Sequence, residues 1–285
     1  MFNIVQKKFI FVAISLVVIL AGVVCYFING FNLDIDFAGG TQIIITGVKY
    51  DEKAVTKSLE AIEGVKVSTV QKTDGGVLVK TNFLEDAQKT EVENKIPKDF
   101  KKGKVVSVES ISETIGSELW TSAATSIAIA AILMLLYITF RFEVLSGIAA
   151  VIALIHDLLI MVSFYVIFRI PVNTSFIAAI LTILGYSINA TIVIFDRIRE
   201  NTRLAKKEMF ADVVNKSIWQ TVGRSINTSL TTLFTLVVLL IIGVDSIKEF
   251  ALPLIVGIIA GTYSSVFVSG PIWAMLKGDK KAVLK

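Results

Sequence analysis

The residues with the clearest chemical potential are polar side chains placed inside long apolar runs. His156 and Asp157 stand side by side near the middle of one such run. A charged side chain at the bilayer centre costs about 2.5–3.5 kcal/mol on insertion scales, and such residues commonly line an ion or substrate path. The pair therefore predicts an ion-relay site. The alternative is a neutral Asp157 that hydrogen bonds to a neighbouring helix and only stabilises the packing.

A second polar pattern opens a later apolar run. Arg224 is followed at helical spacing by Asn227 or Thr228, and then by Thr231 and Thr235. This spacing places the side chains in one row along a single helix face. The row favours a position that faces other helices, with a role in the same relay. The alternative is that Arg224 extends to the nearby membrane surface.

The stretch 185–200 begins as an apolar segment and ends in a burst of charge. Its apolar half carries Ser187, Asn189 and Thr191. An unpaired polar group in hydrocarbon costs several kcal/mol, so these side chains are expected to face other helices or a wet cleft. The charged end predicts the point where the chain leaves the bilayer, at Asp196, Arg197, Arg199 and Glu200.

The composition indicates what kind of protein must position these groups. The 285 residues are 54% hydrophobic, and the mean hydropathy is +0.73, more than a soluble globular domain needs. The single cysteine, Cys25, excludes a disulfide within the chain, and the single histidine excludes a polyhistidine metal site. Asp157 is the one acid well inside a span, so the chain cannot supply an aspartyl-protease pair. We expect no enzyme, no metal and no cofactor.

The apolar runs are long enough to cross roughly 30 Å of hydrocarbon at about 1.5 Å per residue. They predict a polytopic α-helical membrane protein with six transmembrane helices, at residues 9–28, 122–140, 144–168, 173–195, 226–244 and 250–276. The first run follows Lys7 and Lys8 and lacks a small-residue cleavage site, so we expect a retained anchor. The last run carries small residues spaced by four, typical of close helix packing, at Gly257, Gly261, Ser265 and Ser269.

Residues 29–117 differ from the rest, being rich in Asp, Glu and Lys and free of Arg. Alternating and helical patterns predict, in order, a strand, a helix, two strands, a helix ending near Pro97, and a strand. Their predicted bounds are 41–47, 51–63, 65–72, 77–82, 83–96 and 104–110. This β-α-β-β-α-β order predicts a small α+β ferredoxin-like extracytoplasmic domain between transmembrane helices 1 and 2, of the kind that binds or docks partners.

The predicted organisation has three parts: residues 1–28 with the first span, the domain at 29–117, and the remaining spans at 118–285. Short loops on one side hold only Arg169 and Lys248, so the positive-inside rule predicts cytoplasmic N- and C-termini and a basic cytoplasmic tail. The same rule explains the other basic residues, and we expect no nucleic-acid partner.

The cytoplasmic linker 197–223 has apolar residues at helical spacing. It predicts an amphipathic helix at the membrane interface, or alternatively a loop that packs on the bundle. The positions are Met209, Phe210, Val213, Val214, Ile218, Trp219 and Val222.

Five motifs in order resemble the SecF family, accessory subunits of the bacterial Sec protein translocase within the resistance-nodulation-division superfamily. They are DIDFAGGT at 34–41, the approach to the second span at 111–119, ALIHD at 153–157, GYSINATIVIFDRIREN at 185–201 and RSINTSLTT at 224–232. The resemblance carries the first motif onto Asp36, Phe37, Gly39, Gly40 and Thr41.

The resemblance implies a bundle that works with SecD in the bacterial cytoplasmic membrane, where the two together make twelve spans. It implies that a proton or other ion gradient is used to pull or release preproteins on the outer side. The implied partners are a SecD-like subunit, the Sec channel, unfolded preproteins and the lipid bilayer. An efflux pump of the same superfamily is disfavoured, because such pumps use large paired outer domains.

One position departs from the family pattern. Ala190 stands where the family has an aspartate, a candidate proton carrier paired with the arginine at the position of Arg224. Three outcomes stay open. The relay runs through Asp157 or acids of the partner, the coupling ion is not a proton, or the chain is a structural scaffold for SecD and the channel without ion movement.

Overall fold

The computed structural model describes residues 2–73, 75–205 and 208–278. The chain divides into two compact units. The first comprises Met1–Asn32, Ala124–Pro171 and Ser175–Lys285, and the second comprises Leu33–Ala123 with Val172–Thr174. Several positions named above lie outside the described residues: the turn residue Asp74, the basic pair Lys206 and Lys207, and the tail lysines Lys280, Lys281 and Lys285.

The helices and strands alternate along the chain in a simple order. They are α1 (Lys8–Asn29), α2 (Ile35–Ala38), β1 (Gly40–Thr46), α3 (Glu52–Glu60), β2 (Val67–Thr73), β3 (Gly76–Thr81), α4 (Asp86–Asp99), β4 (Lys104–Ile111), α5 (Glu113–Arg141), α6 (Val144–Ile167), α7 (Thr174–Leu204), α8 (Phe210–Ile242), α9 (Asp245–Ser264), a π-helical segment (Ser265–Ser269) and α10 (Gly270–Lys277).

The first unit is built from helices long and apolar enough to cross a membrane. The described residues contain six such helices: α1, α5, α6, α7, α8 and the continuous stretch Asp245–Lys277. The chain is therefore a polytopic helical membrane protein, as predicted. Most of these helices are longer than the predicted spans, and α5 begins at Glu113 rather than at residue 122. Hydropathy marks only the part in hydrocarbon, whereas the helical hydrogen bonds continue into water.

The linker predicted at 197–223 is helical over most of its described length. α7 continues to Leu204 and α8 begins at Phe210, so the predicted amphipathic segment forms the first turns of α8 rather than a separate helix. Its apolar face is buried in the bundle at Phe210, Val213, Val214 and Ile218. Met209 and Trp219 stay exposed, and the Trp219 indole donates a hydrogen bond to the Phe2 carbonyl at 2.9 Å.

α7 and α9 run side by side in a register that repeats every four residues. A Cβ added at Gly257 would lie 2.5 Å from Cγ1 of Ile183, and one at Gly261 would lie 3.0 Å from Cβ of Ser187. The next pair in the same register is joined by a hydrogen bond of 3.0 Å between the hydroxyls of Ser265 and Thr191. Both helices therefore run in the same direction, and the small residues let their backbones approach closely.

α1 and α6 pair in the same parallel sense. Ser15 contacts His156, and seven residues later a side chain at Gly22 would overlap Ser163. Two contacts one heptad apart keep these two helices in register along about two turns. This pairing brings a hydroxyl of the first span to the middle of α6.

The last span contains a break in its α-helical pattern. The π-helical segment Ser265–Ser269 separates α9 from α10, directly before Gly270 and Pro271. Proline has no backbone N–H, so the carbonyl four residues earlier lacks its usual α-helical donor. Wider π turns of this kind are found where a helix carries a site. Ser264, Ser265 and Ser269 at this break are fully buried.

The second unit contains an antiparallel sheet of four strands in the order β2-β3-β1-β4. In the centre, Ile43 of β1 pairs with Val79 of β3 on one side and with Val108 of β4 on the other. The inward side chains of β1 and β3 alternate with more exposed ones, as the pleat requires. The core between the sheet and the two helices contains Val55 and Leu59 of α3 and Val92 and Ile96 of α4.

The elements of this unit follow the predicted sequence of strands and helices, with shifted ends. The second helix is the clearest case, because it runs Asp86–Asp99 and includes Pro97 in its last turn instead of stopping there. The short helix α2 was not predicted. Asp34 begins it by accepting a hydrogen bond from the Ile35 N–H at 2.7 Å.

Candidate functional site

The centre of the membrane unit holds a buried carboxylate. Asp157 on α6 is 1% exposed, and each of its oxygens has a polar neighbour. Oδ1 lies 2.9 Å from Nδ1 of His156, while Oδ2 accepts hydrogen bonds from Ser187 of α7 at 2.5 Å and Ser264 of α9 at 2.9 Å. An ionised carboxylate only accepts hydrogen bonds, and this environment offers it three donors from three helices.

His156 connects this carboxylate to the first span. Its Nε2 lies 2.7 Å from the hydroxyl of Ser15 on α1, and its side chain is 11% exposed. The ring stacks on the ring of Tyr263 from α9, with centroids 6.1 Å apart and planes 17° apart. The Tyr263 hydroxyl donates to the Phe11 carbonyl at 2.8 Å, so α1 and α9 together hold the imidazole in place.

Further hydroxyl pairs extend the buried polar region between the same helices. Thr191 of α7 bonds Ser265, and Ser229 of α8 bonds Thr262 of α9 at 2.6 Å. Each pair satisfies its polar groups inside hydrocarbon, where an unmet hydrogen bond is costly. Of the site residues predicted from sequence, the structure brings together His156, Asp157, Ser187 and Thr191.

The arginine row does not join that cluster. Arg224, Asn227, Thr228 and Thr231 are all exposed on α8, and the buried positions of the same helix are Ser225 and Ser229. The threonines bond backward to their own helix: Thr228 donates to the Arg224 carbonyl and Thr231 donates to the Thr228 carbonyl. The expectation that this row faces the helices of its own chain is therefore wrong.

Asn189 extends this outward-facing polar surface onto α7. It is exposed, whereas its neighbours Ile188 and Thr191 are buried. Within the described residues, the side chains of Asn189, Arg224 and Asn227 form no hydrogen bond or ion pair. We call these five positions, Asn189, Arg224, Asn227, Thr228 and Thr231, the outer polar row.

The charged end of the fourth span forms local contacts. Asp196 lies 3.8 Å from Arg141 at the end of α5, and Arg197 bonds Gln220 of α8 and Glu200, each at 2.6 Å. These contacts hold the end of α7 against the beginning of α8. Arg199 on this end is half-buried.

The signature at 34–41 organises the second unit. The Asp36 carboxylate accepts hydrogen bonds from the N–H and the hydroxyl of Thr174, at 2.8 and 2.7 Å. Phe37 packs edge-on against Trp120 at 5.3 Å between centroids. Gly39 and Gly40 have φ values of +73° and +133°, and a Cβ at Gly40 would lie 2.6 Å from the Thr81 carbonyl oxygen, so glycine is required there.

Thr41 completes the signature from a fully buried position. Its hydroxyl lies 2.8 Å from that of Ser110 on β4 and accepts the Leu84 N–H at 2.9 Å. It thereby links β1, β4 and the segment before α4.

Three members of the buried cluster were not predicted from the sequence: Ser15, Tyr263 and Ser264. Isolated residues of these types in apolar helices carry no spacing signal, because serine is common at helix contacts. Ser264 lies directly before the small-residue position Ser265, and that was the available hint. Among the described residues, no group of three His, Cys, Asp or Glu side chains is arranged to hold a metal ion.

The chain resembles known proteins over nearly its whole length. Residues 91–279 match the family model for the protein export membrane protein SecD/SecF, C-terminal. Protein translocase subunit SecF of Sebaldella termitidis is 37% identical over 289 residues, which is 98% of this chain and 93% of that protein. Protein translocase subunit SecDF of Bacillus subtilis is 39% identical over 96% of this chain, which spans 38% of that longer protein.

A solved structure shares the fold. The crystal structure of SecDF from Thermus thermophilus, described as a translocon-associated membrane protein, superposes with a TM-score of 0.88 at 34% identity. The match covers 97% of this chain and 38% of that one.

Proposed function

This chain belongs to the SecD/SecF family of protein-export membrane proteins, and we propose that it acts with a SecD-like partner to pull or release preproteins on the outer side of the bacterial membrane, using an ion gradient. It is a subunit of the Sec translocase, a transport component rather than a catalyst. The proposed assembly includes the Sec channel, an unfolded preprotein and the surrounding lipid.

The outer polar row is the observation that carries the partner proposal. It places a guanidinium, two carboxamides and two hydroxyls on a helix surface that the rest of the described chain leaves open. Facing lipid, such groups would be costly at membrane depth, and side chains of this kind usually face protein or a wet cavity. A second membrane subunit with carboxylate and hydroxyl side chains would satisfy them.

The relatives support the identity of that subunit. In the Bacillus subtilis protein named SecDF, the part similar to this chain is joined to a longer polypeptide. We infer that here the corresponding portion is a separate SecD-like protein that packs on α7 and α8. Ala190 lies one turn after Tyr186, whose hydroxyl is 3.4 Å from Thr232 of α8, so the position of the family aspartate also faces α8.

Cysteine cross-linking tests the partner proposal in the intact complex. With Cys25→Ser as background, Asn227→Cys and Thr231→Cys are expected to cross-link to the SecD-like subunit. The matched control is Ile155→Cys, an exposed apolar position on α6, which is expected to give no cross-link. Row positions that label only with lipid-phase reagents, with cross-links absent, would contradict the proposal.

We further propose that the second unit is a ferredoxin-like module on the outer side, with both termini in the cytoplasm. The alternation of its elements and the strand order β2-β3-β1-β4 support the class of fold. The scarcity of Lys and Arg in the short loops at Arg169 and Lys248 supports the orientation. In this position the module would meet SecD or the emerging preprotein.

The second candidate function is a scaffold that stabilises SecD and the channel without ion movement, and Ala190 favours it. Asp157 favours ion coupling, because a carboxylate with three donors at membrane depth suits a group that works in charged form.

Preprotein export into vesicles separates the two functions. Ion coupling predicts that an ionophore removes the stimulation by this subunit, and that Asp157→Asn has the same effect. Asp196→Asn, an exposed control, is expected to behave like wild type. Stimulation that survives the ionophore would favour the scaffold.

A further inference from the structure

We infer that the proton-binding group of this chain is the imidazole of His156, with Asp157 as its fixed counter-charge and Ser15 as the partner whose hydrogen bond reverses when the proton binds. The inference rests on the proposed function for its role in export. It differs from the family pattern, in which the carboxylate at the position of Ala190 is the candidate carrier.

The hydrogen bonds around Asp157 leave it little room to act as the carrier itself. Ser187 and Ser264 both donate to Oδ2, and the imidazole Nδ1 lies within hydrogen-bond distance of Oδ1. A proton added to the carboxylate would have to displace one of these three donors. The ionised carboxylate accepts all of them, which places the hydrogen on Nδ1 of His156.

The other nitrogen, Nε2, has two satisfied states that differ by one proton. In the neutral imidazole, Nε2 accepts a hydrogen bond from the Ser15 hydroxyl at 2.7 Å. When Nε2 binds a proton, its new N–H donates to Ser15 Oγ, and the hydroxyl hydrogen turns to the Phe11 carbonyl, 3.3 Å away. No other partner has to move, and the added charge forms an ion pair with Asp157.

The same geometry favours a proton over a metal ion such as sodium. A sodium ion needs several oxygen ligands with free lone pairs directed at one point. Here the carboxylate oxygens are occupied by donors, and an imidazole nitrogen, not an oxygen, lies 2.9 Å from Oδ1. The hydroxyls that surround Asp157 point toward it as donors and are not arranged around a central space.

The groups that face His156 from each neighbouring helix are consistent with this role. α1 presents the hydroxyl of Ser15, α9 presents the titratable Tyr263 in ring contact, and α6 itself supplies Asp157. Tyr263 donates its hydroxyl hydrogen to the Phe11 carbonyl, so it remains neutral in this arrangement. The single negative charge of Asp157 therefore sets the electrostatic field at the imidazole.

The helix that registers the proton is α1. Protonation reverses the direction of the hydrogen bond between α6 and α1, at a point one heptad from the close contact of Gly22 with Ser163. α1 ends at Asn29, and in sequence it leads directly into the second unit, which begins at Leu33. A proton at His156 thus acts on the span that is joined to the outer unit by only a few residues.

The sequence offers a direct measurement, because His156 is the one histidine among the 285 residues. The full chain, labelled with ¹⁵N-histidine, carrying a tag free of histidine and placed in lipid nanodiscs, gives one imidazole signal pair by NMR. We expect the Nδ1–H tautomer at pH 8 and a doubly protonated ring at pH 5. An Nε2–H tautomer, or a ring whose protonation is the same from pH 5 to pH 9, would overturn the inference.

Variants identify the partners in the same experiment. Asp157→Asn is expected to lower the midpoint of the titration by about one pH unit or more, because it removes the counter-charge. Ser15→Ala is expected to lower it as well, since the charged Nε2–H loses its acceptor. Tyr263→Phe keeps the ring contact and is the control expected to leave the midpoint unchanged. A midpoint unchanged in Asp157→Asn would contradict the assignment.

The result is distinguishable from failure of the proposed function, because the NMR readout needs no export. If His156 does not titrate while export still depends on the gradient, this inference fails and the proposed function stands. If His156 titrates as expected but export is indifferent to the gradient, the inference about the proton site stands and the proposed coupling fails.

Discussion

The hydroxyl of Ser187 donates to the carboxylate of Asp157 across the boundary between α7 and α6, with 2.5 Å between the two oxygen atoms. Ser187 also lies where α7 comes closest to α9, since a Cβ at Gly261 would be 3.0 Å from its own Cβ. The charged group of α6 is therefore tied to the packing of two other helices. A change in its hydrogen bonds would be felt in their spacing.

Ser187→Ala is the simplest test of that link. It leaves Asp157 with one donor fewer in a site closed to water, and we expect a loss of about 1–2 kcal/mol in the free energy of unfolding. Unfolding in detergent, followed by helical circular dichroism, measures the loss. Thr182→Ala is the matched control on the same helix, because Thr182 is exposed and bonds only the Ala178 carbonyl. Equal stability of the two variants would contradict the link.

The approach of α7 to α9 predicts a second stability effect. Gly257→Val inserts a branched side chain where Ile183 already fills the space, and overpacking of this kind costs about 1–3 kcal/mol. The thermal midpoint of the purified protein is expected to fall accordingly. Gly185→Ala on α7 serves as control, because no atom lies within 4 Å of an added Cβ there. A tolerated valine at position 257 would show that the two helices are not in contact.

Run length and periodicity were sufficient to predict the membrane spans and the small-residue contact of the last span. Each of those features is written within one helix: about twenty apolar residues, or small residues every four positions. The order of strands and helices at 40–111 was likewise predictable, because alternation and turn residues mark the elements locally. Helix ends were less so, and α4 continues past Pro97 because its last turn tolerates a missing N–H near the end.

The composition of the site depended on information that one helix does not contain. Periodicity groups Arg224 with Asn227 and Thr231, but it cannot tell whether that face meets the chain's own helices or another protein. Asp157 and Arg224 look alike in sequence as charges in or near apolar runs, yet one is buried and the other is exposed. Ser15 and Ser264 gain their roles only from the neighbours that the fold places beside them.

The second unit offers a test that is independent of export. Thr41→Val keeps the shape of a fully buried side chain but removes the hydroxyl that accepts the Leu84 N–H. An unsatisfied buried donor costs about 1–3 kcal/mol, and we expect faster hydrogen exchange in β1 and β4 of the full chain. The control is Thr69→Val at an exposed position of β2. Unchanged protection in Thr41→Val would indicate that this hydrogen bond adds nothing to the sheet.

Arg224→Ala is expected to affect assembly and export while leaving the fold of the chain intact. The Arg224 side chain is exposed and has no ion pair within the described residues, so its loss removes no contact from the bundle. If a carboxylate of the SecD-like partner pairs with it, the truncation costs about 2–5 kcal/mol of binding, which weakens the affinity roughly 30-fold or more. Affinity in nanodiscs and export in vesicles measure the two effects. Arg203→Ala, an exposed arginine near the end of α7, is the control for loss of charge. A variant at position 224 that binds and exports like the one at 203 would place Arg224 at the membrane surface, extended toward the lipid headgroups.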